Sequence, residues 1–153
     1  NKSKQLKDTI KSRCIEFKIT LNENDKKNII SSLIKKYNQK IVLDENLVDL
    51  TPGNFIKFNH VFNHNQINLN EDFTKIIDIL INLYKKDKDI LYVDLMLFYT
   101  DYFFKSLKNK NEYSLEKLIE IRSFVVKNLN DFFLYNLNQS TLLNAINNRF
   151  SNE

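Results

Sequence analysis

Apolar positions along the chain alternate once near the start and then settle into a helical period. From Cys14 to Ile19 the residues Ile15, Phe17 and Ile19 fall on one side, with Glu16 and Lys18 on the other, which predicts one short strand. Asn22 or Asn24 can cap the next element, a helix with the stripe Ile29, Ile30, Leu33, Ile34 and Tyr37. A short helix is expected near Asp44 to Leu50. Thr51-Pro52 then restarts the chain, with a hydroxyl cap and a proline at the first helical position. The apolar side of that helix carries Phe55, Ile56, Val61 and Phe62, with Phe58 at its shoulder.

The stretch Asn63 to Asn70 is polar and rich in asparagine, and reads as a linker between two subdomains. Beyond it the pattern predicts a bundle of about four helices. Asn70 is the expected cap of a helix from Glu71 to Lys86, with acids in its first turn and lysines in its last, as the macrodipole favours. Asp89 caps a second helix to about Lys108. It is apolar almost all round, so it should be the buried centre of the bundle. Ser114 caps a third, long helix striped by Leu115, Leu118, Ile119, Val125, Val126, Leu129, Phe132 and Phe133. Asn138 or Ser140 starts a last one carrying Leu142, Leu143, Ile146 and Phe150. The expected fold class is all-α: a small helical subdomain with one short N-terminal strand, followed by a C-terminal helical bundle.

Composition removes several function classes. The 153 residues include 42% hydrophobic and 27% charged residues, enough for a packed core, and every long apolar run is broken by a charge. Gly53 and Pro52 are the only glycine and proline. A Walker loop requires two glycines and a dinucleotide-binding fingerprint three, so neither is present. The single cysteine, Cys14, excludes a disulfide framework and fits a reducing cytoplasm. No targeting pattern precedes it, and the first residue, Asn1, suggests a piece of a longer protein. The formal charge of +4 permits polyanion contact without demanding it. Only Arg13, Arg122 and Arg149 are arginine, so a biased composition has retained few of them.

Candidate chemistry is sparse. His60 and His64 share a helix face at metal-ligand spacing, but Val-Phe-Asn lies between them, and a third ligand would have to come from Glu71 or Asp72. They are read as surface or capping histidines, and no metal site is assigned. Cys14 lacks a histidine or cysteine partner and reads as a buried thiol. The lysine clusters alternate with acids and asparagines, the pattern of a solvated face. Arg122 falls on the apolar side of its helix, where it must pair with an acid or carry its head to solvent.

One run stands apart. Thr9-Ile10-Lys11-Ser12-Arg13-Cys14 leads directly into the alternating strand, then a turn and a capped helix with an Ile/Leu stripe. This ordered set resembles the Ser-Arg-Cys region of clamp-loader subunits of the AAA+ class. Downstream, Thr51-Pro52-Gly53 with Phe55-Ile56 is similar to the Ser-Pro-Gly segment of the delta-prime subunits of the bacterial DNA polymerase III clamp loader. The motor subunits carry an ATP-sensing arginine in that segment, and Gly53 stands in its place. Phe98 to Phe104, with Asp101 as the acid, resembles the aromatic-Asp stretch of the family's third domain. Asn136-Leu137-Asn138 followed by Leu142-Leu143 resembles the closing motif of its collar. Lys11, where arginine is common, and Phe55, where a small residue is usual, depart from the family pattern.

The resemblance implies a division into residues 1–20, the end of an AAA+-like domain; 21–66, a helical lid; and 67–153, a helical collar that assembles with other subunits. It implies a stator in a hetero-oligomeric ring that loads the sliding clamp onto primed DNA in the cytoplasm, without membrane attachment. Arg13 would act in trans as an arginine finger on ATP and magnesium held by the neighbouring subunit. Ser12, Cys14 and Thr9 would support its loop, and Thr51, Pro52 and Gly53 would form the lid turn. No cofactor is expected on this stretch itself, and it is not expected to be catalytic alone, although the holoenzyme it would serve is a DNA-directed DNA polymerase. Two other readings remain: an ATP-hydrolysing motor subunit of the same loader, and an unrelated all-helical scaffold.

Overall fold

The computed structural model describes residues 13, 21–44, 49–110 and 113–151, and these form six α-helices with no strand among them. The expected strand at Cys14 to Ile19 lies outside the described residues, as does the middle of the helix expected near Asp44 to Leu50. Asp44, Asp49 and Leu50 are described and are not helical.

Helix α1, Glu23–Lys36, begins at Asn22, whose side-chain oxygen accepts from the Asp25 N–H at 2.8 Å. Helix α2, Pro52–His64, begins as the Thr-Pro pair dictates: Thr51 Oγ1 accepts from the Asn54 N–H and Pro52 occupies the first turn. The two helices pack together, and the segment between them is tied down by Asn59. Four further helices follow: α3, Phe73–Asp87; α4, Leu91–Lys110; α5, Leu115–Tyr135; and α6, Gln139–Ser151.

The start of α3 differs from the sequence expectation. Asn70 does not cap it. Asn68 closes a local turn instead, its side chain accepting from the Asn70 N–H and its carbonyl from the Glu71 N–H. The turn consumes Asn70 and Glu71, so Asp72 takes the cap position, without a side-chain capping bond. Asp89, Ser114 and Asn138 do cap. Asp89 accepts from the Leu91 N–H, Ser114 from the Lys117 N–H, and Asn138 from the Ser140 and Thr141 N–H groups.

Helices α3, α4, α5 and α6 pack in sequence, and α6 returns against α3. Their contacts show antiparallel neighbours. Phe73 at the start of α3 meets Phe103 near the end of α4 and Phe150 near the end of α6. Arg149, late in α6, pairs with Glu120, early in α5. Helix α4 is the central element: Leu95, Met96, Tyr99, Thr100, Phe104 and Leu107 are buried, and it touches α2 as well as its bundle neighbours. One cluster of buried side chains runs from Ile30 in α1 to Ile146 in α6. Each large apolar side chain fully buried there contributes about 1.5–3 kcal/mol. Among the described residues no helix is long and apolar enough to cross a membrane.

Candidate functional site

Of the residues that the sequence singles out, Arg13 is described and is exposed in a turn. Thr9, Ser12 and Cys14 lie outside the described residues. Thr51, Pro52 and Gly53 form the first turn of α2. Pro52 is buried, and Gly53 is exposed with a negative φ. A methyl group built on Gly53 meets no atom within 4 Å, so packing does not force glycine at this position.

Helix α2 begins beside a cleft of about 390 Å³ reached by Leu21, Glu23, Lys26, Asp49, Leu50 and the Thr51-Pro52 pair. Lys26 spans it, its Nζ 3.0 Å from Asp49 and 3.7 Å from Glu23. The hydrogen bond and charge of that ammonium hold the Asp49 carboxyl below its ordinary range, with a smaller contribution from the Lys105 charge. The pair fastens the start of α1 to the segment that leads into α2.

The residue that sequence reasoning missed is Asn59. It lies on the buried face of α2 and is fully inaccessible. Its Oδ1 accepts from the Val42 N–H at 2.9 Å and the Leu43 N–H at 3.4 Å, and its Nδ2 donates to Lys40 O at 2.8 Å and Gln39 Oε1 at 3.0 Å. Asn63, one turn on, also donates to Lys40 O. All the polar capacity of the buried amide is used to hold an irregular segment against a helix, where that segment's backbone would otherwise lack partners. The available signal was an asparagine one turn from both Phe55 and Phe62, inside the apolar stripe.

His60 and His64 are exposed, with ring centroids 5.6 Å apart. Neither Glu71 nor Asp72 joins them, and among the described residues no three His, Cys, Asp or Glu side chains gather as metal ligands would. Arg122 is half exposed and does pair with an acid. Its Nη2 and Nε lie 2.6 and 2.8 Å from Asp101 Oδ1, linking α5 to α4. Asp101, the acid of the aromatic stretch, is therefore engaged within the bundle. Asn136-Leu137-Asn138 likewise has a local role: Asn136 adopts a left-handed conformation (φ 51°), Leu137 donates back to Phe132 O, and Asn138 caps α6.

A larger cleft of about 960 Å³ lies between α2 and α4. Asp49, Asp89, Asp94 and Asp101 line it together with Lys57, Phe58 and Phe98; Asp49 is paired with Lys26 and Asp101 with Arg122. Comparison with protein-family models, with curated proteins and with solved structures found no match to this chain. Nothing in the described geometry assembles a nucleophile, a general base and an oxyanion donor. What it displays is a capped helical framework, an exposed arginine ahead of it, and several surface concavities.

Proposed function

We propose that this chain is the lid and collar part of a delta-prime-like subunit of a bacterial sliding-clamp loader, acting in the cytoplasm as a stator. The observation that carries the reading is the run Thr9 to Cys14 with its arginine, placed ahead of a capped helix and an all-helical remainder. Three further features support it. Arg13 is exposed in a turn, where a partner can reach it. The first turn of α2 carries Gly53, with open space around it, where the motor subunits of the family carry their ATP-sensing arginine. Helices α3 to α6 form the kind of packed unit that subunits of a ring present to one another.

In this role the chain binds no nucleotide itself. Arg13 projects to the ATP of the adjacent subunit, where a guanidinium beside the γ-phosphate stabilises the charge that develops during transfer. Fingers of this kind accelerate GTPases by ~10³–10⁵. Ser12 and Thr9 support the loop and Cys14 anchors it. The partners are the other loader subunits and, through them, the clamp and primed DNA. The absence of a side chain at Gly53 argues against the motor-subunit alternative.

Co-expression with the ATPase subunits of a bacterial clamp loader tests the assignment. The expected outcome is a hetero-oligomer, stable on size exclusion, that contains one copy of this protein. Recovery of the two only as separate species contradicts it.

A further inference from the structure

Helices α4 and α5 do not close fully against each other at the end where α4 finishes and α5 begins. A groove of about 230 Å³ remains there, with the buried side chains of Phe104 and Leu118 at its base. Its lips are Leu115 and Ile119, one turn apart on α5 and 55% and 56% exposed. These two belong to the apolar stripe of α5, yet no neighbouring helix covers them. Lys105 and Lys108 flank the groove from α4, both exposed. No described carboxylate lies within ion-pair distance of either lysine, whereas the third cation of the rim, Arg122, is neutralised by Asp101. Among the described residues the groove is therefore apolar at its centre, with the ammonium groups of Lys105 and Lys108 at its edge; the Lys105 charge also acts on Asp49, beyond ion-pair distance.

We propose that this groove docks a partner segment in which one or two Leu-, Ile- or Phe-type side chains are flanked by aspartate or glutamate. The volume falls below the ~300–1,000 Å³ of pockets that hold a drug-sized ligand, which favours one or two anchoring side chains over a small-molecule cofactor. The exposed Leu115–Ile119 pair supplies the apolar surface that such anchors cover, in the manner of an amphipathic segment laid in a helical groove. Charge complementarity selects the flanks: carboxylates meet Lys105 and Lys108, while a basic segment would be repelled by them. The proposal uses no residue of the Thr9–Cys14 run and stands apart from the clamp-loader reading.

The test is selection from a random-peptide display library on the immobilised chain, followed by fluorescence anisotropy with a labelled synthetic copy of the most enriched peptide. The expected peptides place Leu, Ile or Phe beside Asp or Glu. Their affinity should fall at least about tenfold with Ile119→Glu, and by a similar factor with the pair Lys105→Glu and Lys108→Glu, as each opposes the acidic flanks directly. Both changes are at exposed positions, and circular dichroism melts near that of the unchanged chain would show that the fold is intact. Affinity should also weaken as NaCl rises from about 0.05 to about 0.5 M, because the rim charges are exposed to screening. Recovery of no peptide, of basic peptides, or of peptides indifferent to both variants overturns the proposal. So does sedimentation showing a dimer of this chain that Ile119→Glu converts to monomer, since the groove would then be a seam between two copies.

Discussion

Two buried polar residues set opposite terms in the interior. Asn59 has every hydrogen-bonding atom engaged, by three backbone groups and the Gln39 side chain of a segment with no regular structure. Asn59→Ala removes the amide and strands the Val42 and Leu43 N–H groups, so it should lower stability by about 2–3 kcal/mol in urea unfolding. Asn59→Leu should do no better, because filling the volume leaves the same donors without acceptors. Tyr99 is the reverse case. Its ring stacks on Phe73 at 5.6 Å, but its buried hydroxyl has no hydrogen-bond partner among the described residues. Tyr99→Phe should therefore be neutral or stabilise the fold by about 1 kcal/mol near pH 7. Burial, with a smaller contribution from Tyr102, raises the pKa of this phenol well above its ordinary value. A group whose folded pKa is raised contributes stability that is fully present below its unfolded pKa. That contribution is lost as pH rises from the unfolded value, about 10, towards the folded one. Unfolding midpoints measured from pH 8 upwards, with about 10 as the expected onset of the alkaline decline, should fall less steeply for Tyr99→Phe than for the unchanged chain.

At the level of elements, the helices were legible because their ends are written in short side chains. Asn22, Thr51, Asp89, Ser114 and Asn138 each lie where an apolar period begins, and each accepts a backbone N–H in the structure. Asn70 misled because asparagine serves turns as readily as caps, and Asn68 two residues earlier closed its turn first. Helix ends that require a left-handed residue were harder to read, because the single glycine occupies none of them. Asn38, Gln66, Lys88 and Asn136 do so instead. The pairing of Arg122 with an acid could be anticipated from its place on an apolar stripe, but Asp101 as its partner depends on how α4 and α5 meet. The unburied part of that stripe, Leu115 and Ile119, could not be told from core by period alone, because period fixes a face and not what covers it. The corner between α5 and α6 concentrates two such devices in three residues. Asn138→Ala should cost about 1 kcal/mol by loss of the cap. Asn136→Gly should be nearly neutral or slightly stabilising, since glycine suits the left-handed conformation. Thermal unfolding of the two variants side by side measures both.

At the scale of the whole molecule, the account joins a helical framework to one exposed arginine that contributes little to it. An arginine exposed in a turn gives little stability, so Arg13→Ala should leave the melting temperature nearly unchanged. The Arg122–Asp101 pair is about half exposed on both sides, and Arg122→Ala should lower stability by no more than about 1 kcal/mol, with turnover per folded complex intact. In the proposed role Arg13 acts on a neighbour, whereas Arg122 braces its own bundle, and the contrast between the two variants tests that role. Arg13→Lys should rescue poorly, since an ammonium lacks the planar fork and the reach of guanidinium. The most direct measurement is clamp- and DNA-dependent ATP turnover by a loader assembled with wild-type or Arg13→Ala protein, at matched subunit composition. The account predicts a loss of at least about tenfold with assembly unimpaired, within the range by which trans-acting arginines accelerate phosphoryl transfer. Wild-type turnover by a normally assembled Arg13→Ala loader would contradict it.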